Sequence, residues 1–144
     1  MDIAPVESKE EKIQLSQGKL TAKQIDLMLK KLPLEVSFVD ENDKVCYYTD
    51  SEERIFPRSP DVIGMLVQNC HPPKSVHIVE DILKNFKEKK KDFAEFWIPM
   101  NGKFVYISYY PLYDDNGEYK GVIETTRDIS HLRSLQGERR ILDW

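Results

Sequence analysis

Residues 92–130 read DFAEFWIPMNGKFVYISYYPLYDDNGEYKGVIETTRDIS. Three runs rich in aromatic and β-branched residues, Asp92–Met100, Lys103–Tyr113 and Glu118–Asp128, are separated by Asn101-Gly102 and by Asp114-Asp115-Asn116-Gly117. Asn, Asp and Gly tolerate the backbone angles that tight hairpin turns require, so the stretch is expected to be a three-stranded meander. Apolar residues fall on both of its faces, with Phe93 and Trp97 on one side and Phe96 and Ile98 on the other. A sheet with one face in water alternates apolar with polar, so both faces of this one are expected to be covered. One cover is the helices in the middle of the chain; the other is the N-terminal helix or a second copy of the chain.

Upstream of the meander, Val76, Val79, Ile82, Leu83 and Phe86 recur at three- and four-residue spacing, which predicts a helix from about Lys74 to Lys89 with one buried face. Ser59-Pro60-Asp61 has the form of a helix start with proline at the first position, and that helix is expected to run through Val62, Ile63, Leu66 and Val67 until Pro72-Pro73 ends it. Before it, Leu34–Val39 and Lys44–Thr49 flank the polar turn Asp40–Asp43 and read as a hairpin. Thr21 with Gln24 forms a capping box for a helix whose stripe is Ile25, Met28, Leu29 and Leu32, with Leu27 outside it and Pro33 as the stop. The expected organisation is a flexible tail over residues 1–19, an amphipathic helix over 20–33, one domain over 34–130 and an exit segment over 131–144.

A chain of 144 residues is long enough for one domain with a core and too short for two ordinary ones. No apolar run approaches the ~20 residues of a spanning helix, and Met1–Gln17 lacks the apolar stretch of a secretory signal. The two cysteines, Cys46 and Cys70, then point to a reducing cytoplasm and to no structural disulfide. A net charge of -4 argues against a dedicated nucleic-acid surface, and the basic run Lys87–Lys91 reads as a solvated helix end. Enzymatic signatures are missing: there is no phosphate-cradling glycine loop, no Cys-x-x-Cys, no His-Glu-x-x-His and no nucleophile elbow. The chain is expected not to be an enzyme, a Cys70 and His71 dyad having no third group to orient it.

The order of two strands, several helices and three strands resembles the PAS superfamily, over roughly Leu32 to Leu135. Val39-Asp40 before a polar turn is similar to the usual opening hairpin, and Ser59-Pro60-Asp61-Val62-Ile63-Gly64 to the short helix ending in glycine. Gly121-Val122 leading to Arg127-Asp128-Ile129-Ser130 is similar to the terminal signature, the most specific of the three matches. Phe56-Pro57-Arg58, Cys70-His71-Pro72-Pro73-Lys74-Ser75 and the ending Gly137-Glu138-Arg139-Arg140-Ile141-Leu142-Asp143-Trp144 further resemble the PAS portion of the domain-of-unknown-function 438 family. In that family the PAS portion is commonly joined to a hemerythrin-like helical domain, so the chain is expected to be an excised portion or to have lost that partner. The resemblance implies an α+β fold, a five-stranded antiparallel sheet with helices packed on one face and the N-terminal helix flanking. It implies a sensory module of intracellular signal transduction that binds a small molecule or cofactor between helices and sheet and relays the event through its C-terminal edge. The alternative is a dimerisation or protein-interaction module with no ligand.

In a PAS fold the joint at Cys70–Lys74 lies beside the cavity, which makes His71, Cys70 and Lys74 candidate ligand contacts and His71 a candidate haem or metal ligand. The competing reading is a proline-stiffened linker whose His caps a helix end and whose Cys is a small core residue. Arg58, beside Phe56, can fork to a carboxylate or phosphate of a ligand, and the ligand set is therefore His71, Cys70, Arg58, Phe56 and Lys74. For Arg54 and Arg58 the competing reading is a salt bridge anchoring the loop, to Glu52 or Glu53 among others. His77 points away from the apolar face of its helix and is expected in solvent, paired with Asp81, and His131 is read as a surface residue near the output end. Tyr106, Tyr109 and Tyr110 offer hydroxyls to the cavity if they face inward, which alternation leaves open. Arg127 and Asp128 are the expected signal-output residues, because the chain leaves the sheet there. A homodimer is expected through the N-terminal helix and the outer sheet face.

Overall fold

The computed structural model describes residues 10–51 and 54–144, and the chain divides into two units, Met1–Leu32 and Pro33–Trp144. In the first, β1 (Lys12–Gln14) pairs antiparallel with β2 (Lys19–Thr21), Ile13 opposite Leu20. The sequence reading had a flexible tail up to residue 19; strands of three residues are too short to display an alternation, and residues 1–9 lie outside the described residues. Helix α1 (Ala22–Lys31) follows directly. Its capping box is the one anticipated: the Gln24 amide donates to Thr21 Oγ1 at 3.0 Å and the Thr21 amide to Gln24 Oε1 at 2.9 Å. Two otherwise orphaned amides are thereby satisfied. Leu32, held extended before Pro33, ends the helix. None of the α1 side chains is buried.

In the second unit, β3 (Glu35–Asp40) and β4 (Val45–Tyr48) form the first hairpin, and α2 (Val76–Lys87) carries the chain to β5 (Ala94–Met100), β6 (Lys103–Tyr113), β7 (Tyr119–Asp128) and the short α3 (Ser130–Ser134). The sheet order is β4-β3-β7-β6-β5, antiparallel throughout. The last strand of the meander thus pairs with the first strand of the hairpin, Val39 opposite Val122 and Ser37 opposite Glu124. Gly121 makes that pairing possible. Its φ is +138°, and a Cβ there would stand 2.2 Å from the Val39 carbonyl and 2.7 Å from the Phe38 ring, so no larger residue fits without moving β3.

One face of the sheet packs on α2 and the preceding turns. Val39, Val45, Val67, Leu83, Phe86 and Val122 form the core, and Phe86 is 1% exposed. Burying one such side chain contributes about 1.5–3 kcal/mol. Lys87 Nζ is 2.8 Å from Asp43 Oδ1, and the Tyr113 hydroxyl donates to the Phe86 carbonyl at 2.5 Å, which ties the end of α2 to both hairpins. The helix starts two residues later than Lys74, because Ser75 and Val76 turn back onto the Pro72 carbonyl.

The stretch from Pro60 to Val67, expected to be one helix, is instead a 3-10 turn at Pro60–Val62, an extended piece, and a second 3-10 turn at Val67–Cys70. Gly64, at φ +88°, reverses the chain. The Gly64 amide then donates to the Val45 carbonyl (2.7 Å), the Val45 amide to Met65 (2.9 Å) and the Val67 amide to Asp43 (2.8 Å). Pairing with the free edge of β4 satisfies backbone groups that the edge would otherwise leave open, and this outcompetes a short helix.

Candidate functional site

Between α2, the 3-10 turns and the inner sheet face lies a cavity in two lobes of about 30 and 20 Å³ that share Val39, Val67, His71 and Glu124. The larger lobe is walled by Val79, Ile82 and Leu83 of α2 with Tyr109 and Val122 of the sheet. The smaller is bounded by Ser37, Val45, Tyr48, Arg58 and Val62. An apolar chamber thus has a polar end.

That end is built around Arg58 and Glu124. The guanidinium Nη2 stands 3.5 Å from Glu124 Oε1, with the two side chains 20% and 16% exposed, while Arg58 Nε is buried with no hydrogen-bond partner among the described residues. A charged pair in a low-dielectric setting is stable only when well compensated, and here one donor of the cation is left over. Burial pushes the Tyr109 phenol well above its ordinary value, and the charge of the neighbouring Glu124 carboxylate pushes it further. His71 Nδ1 is 2.9 Å from the Val67 carbonyl. A carbonyl only accepts, so Nδ1 carries a proton and donates it to Val67.

Of the residues singled out from sequence, His71 and Arg58 line the cavity. Cys70 is half-buried against the core, its thiol donating to the Leu66 carbonyl at 3.5 Å, and is not among the lining residues. Phe56 is half-buried and Lys74 exposed, and neither lines a lobe. Arg54 is an anchor: it bonds the carbonyls of Phe56 (3.0 Å) and Thr49 and pairs with Glu35 at 3.5 Å, side chains 10% and 9% exposed. Among the described residues the acidic partners of the two arginines are the strand residues Glu35 and Glu124; Glu52 and Glu53 lie outside them. His77 is exposed, as its helical phase requires, and Asp81 bonds Asn85. Tyr109 faces inward opposite Glu124, whereas Tyr106 and Tyr110 pair with Arg127 and Ile123 on the other face. Glu124 has no place among the residues singled out from sequence, and Tyr109 stood there only as one of three tyrosines. A carboxylate between Val122 and Thr126 on one face of a strand was the available signal, and only the register turns it into a site.

A haem does not fit this site. Ligand pockets of that class run to several hundred Å³, and the lobes beside His71 measure about 30 and 20 Å³. Among the described residues no group of three or more His, Cys, Asp or Glu is placed to hold a metal ion, and no helix is long and apolar enough to cross a membrane.

Two further features lie at the opposite face and at the exit. The outer face carries a groove of about 340 Å³ lined by Leu34, Tyr106, Tyr110, Arg127, Ile129 and Leu132, among others, and Trp97 on the same face is 57% exposed. At the end of β7, Asp128 Oδ1 accepts from the Ser130 amide (3.0 Å), the Ser130 hydroxyl (2.6 Å) and the Phe104 amide (3.2 Å). The Arg133 guanidinium lies 3.6 Å from the centre of the Phe104 ring. The hydrogen bonds from Ser130, ahead of the others, hold the Asp128 carboxyl below its ordinary value. This knot fixes where the chain leaves the sheet.

The family model described as a PAS domain matches residues 25–130. The crystal structure of the C-terminal domain of a protein from Streptococcus mutans is similar at 33% identity and a TM-score of 0.83, over 88% of this chain and 98% of that one. The PAS domain of BvgS from Bordetella pertussis is similar at 20% identity, TM-score 0.56, over 77% and 90% of the two chains. A sensory box sensor histidine kinase from Vibrio cholerae is similar at 11% identity, TM-score 0.54, over 75% and 91%. The last two likenesses concern the fold alone. No curated protein matches the chain. With the sheet order, the inner cavity and a family match over most of its length, this chain belongs to the PAS domain family.

Proposed function

We propose that this PAS domain is the sensing element of an intracellular signalling protein, and that its input is a small molecule held between α2 and the sheet. The observation that carries this reading is the Arg58–Glu124 pair, set with His71 at the end of an otherwise apolar chamber with one guanidinium donor uncommitted. Maintaining such a group inside a domain costs stability unless a bound partner completes it. Occupancy moves β7 through Glu124, and β7 ends on the Asp128 knot, so binding and exit geometry share one strand. A ligand drives that shift only to the extent that it binds the two states unequally. The fold shared with the sensory box of a histidine kinase is in keeping with a relay role. The kinship with the domain-of-unknown-function 438 proteins, and action beside a hemerythrin-like domain of the same full-length protein, belong to this proposal and rest on the sequence motifs. Native mass spectrometry of protein purified without denaturation tests the reading. A bound mass that Arg58→Gln removes is expected, and an empty cavity under all growth conditions sinks it.

A second reading is favoured by one observation, the open outer groove beside the exposed Trp97. On that reading the outer face joins two copies of the domain, with or without a ligand inside.

A further inference from the structure

The charges at the polar end balance. Among the described residues, Arg58 is the one cation and Glu124 the one anion bordering either lobe. A ligand that brought a net charge would leave it uncompensated in a low-dielectric setting, the costliest arrangement available. Yet the hydrogen-bonding inventory is incomplete in both directions. Arg58 Nε–H is a buried donor without an acceptor. His71 commits its Nδ1–H to the Val67 carbonyl, which leaves Nε2 as the ring's remaining hydrogen-bonding atom. Glu124 retains lone pairs beyond those facing Arg58. The occupant must therefore accept from Arg58 and donate to Glu124 at the same end, while remaining neutral. Size limits it further. Lobes of about 30 and 20 Å³ admit only a small occupant. Its other end meets Val79, Ile82 and Leu83 and must be apolar.

Resting on the sensing role proposed above, we infer that the cavity selects an uncharged small molecule with a short aliphatic end and a head that both accepts and donates hydrogen bonds, as a primary amide does. Propionamide and propionate have nearly the same shape and differ in charge, and they make the test. In amide-resolved NMR titrations of the full chain, propionamide is expected to shift Val67, His71 and Val79 saturably. Propionate is expected to bind at least tenfold more weakly. Glu124→Gln leaves Arg58 uncompensated and should reverse that order, propionate binding at least tenfold more tightly than propionamide, since one charge at contact distance outweighs that ratio at the effective dielectric of such sites. General damage to the fold weakens both probes and cannot reverse them. Should Glu124→Gln fail to fold, Arg58→Gln gives the mirror test by admitting n-propylammonium, which the unaltered domain rejects. Equal binding of amide and acid by the unaltered domain, or no reversal in either folded variant, overturns the inference. If native mass spectrometry finds a charged metabolite, the neutral class falls and the sensing role stands. If no probe binds and no mass is carried, both fall.

Discussion

Gly121 and Asp128 are single residues whose removal acts through different physics. At Gly121 the neighbouring backbone leaves no room for a Cβ, so Gly121→Ala must push β3 from β7. A loss of roughly 3 kcal/mol is expected in urea unfolding, and a change under 1 kcal/mol would mean that β3 yields freely. Asp128 is fully exposed, and its three accepted hydrogen bonds act locally. Asp128→Ala is expected to speed amide exchange at Phe104 and Ser130 while leaving the melting temperature nearly unchanged; equal loss of protection across the core would contradict this. Because the folded carboxyl titrates below its ordinary value of 3.8, its contribution is complete above that value and lost as pH falls through the lower one. The same two amides should therefore lose protection in acid before the core does. Arg54 is a third case. Arg54→Met strands the Glu35 carboxylate in a site where both partners are about nine-tenths buried, and a cost of about 3 kcal/mol follows.

Among the elements, α2 carries the largest share of the core through Leu83 and Phe86. Phe86→Ala should cost about 3–5 kcal/mol, measured by chemical denaturation, because the surrounding strands cannot collapse into the space. The segment Met65–Val67 illustrates the opposite case, an element defined by its neighbour: it is extended because the edge of β4 offers Val45 and Asp43 as partners. Helix α1 owes its start to local chemistry, and Thr21→Ala should fray it by about 1 kcal/mol, visible as faster exchange of the Gln24 amide. Unchanged exchange there would show that the capping box contributes nothing.

For the whole domain, the inner and outer faces of one sheet are given to different tasks. The inner face closes on a small cavity with a charged pair, and the outer face leaves Trp97 and the groove beside Tyr110 open. On the second functional reading, sedimentation at high protein concentration should give a dimer that Trp97→Arg converts to a monomer, because a charge in an apolar interface is left unpaired. A monomer at all concentrations would end that reading and leave the inner cavity untouched.

The sequence by itself determined what depends on residues close along the chain. The capping box at Thr21 and Gln24, the phase of α2 that turns His77 outward, the Asn101-Gly102 turn and the limits of Lys103–Tyr113 are all set by neighbours within one turn or one pleat. The family was legible for the same reason, since Gly121-Val122 and Arg127-Asp128-Ile129-Ser130 are continuous motifs. Only the tertiary structure decided which strand β7 would pair with. That pairing gives one face to Tyr109 and Glu124 and the other to Tyr106, Tyr110 and Arg127. It also decided that Pro60–Val67 would follow the edge of β4, and that Arg58 would meet Glu124 across the domain. These outcomes rest on burial and on satisfying backbone groups between segments distant in sequence, and no local spacing encodes them. The size of the cavity is of the same kind: the residues beside His71 were readable, and the few tens of Å³ that exclude a haem follow from how α2 settles on the sheet.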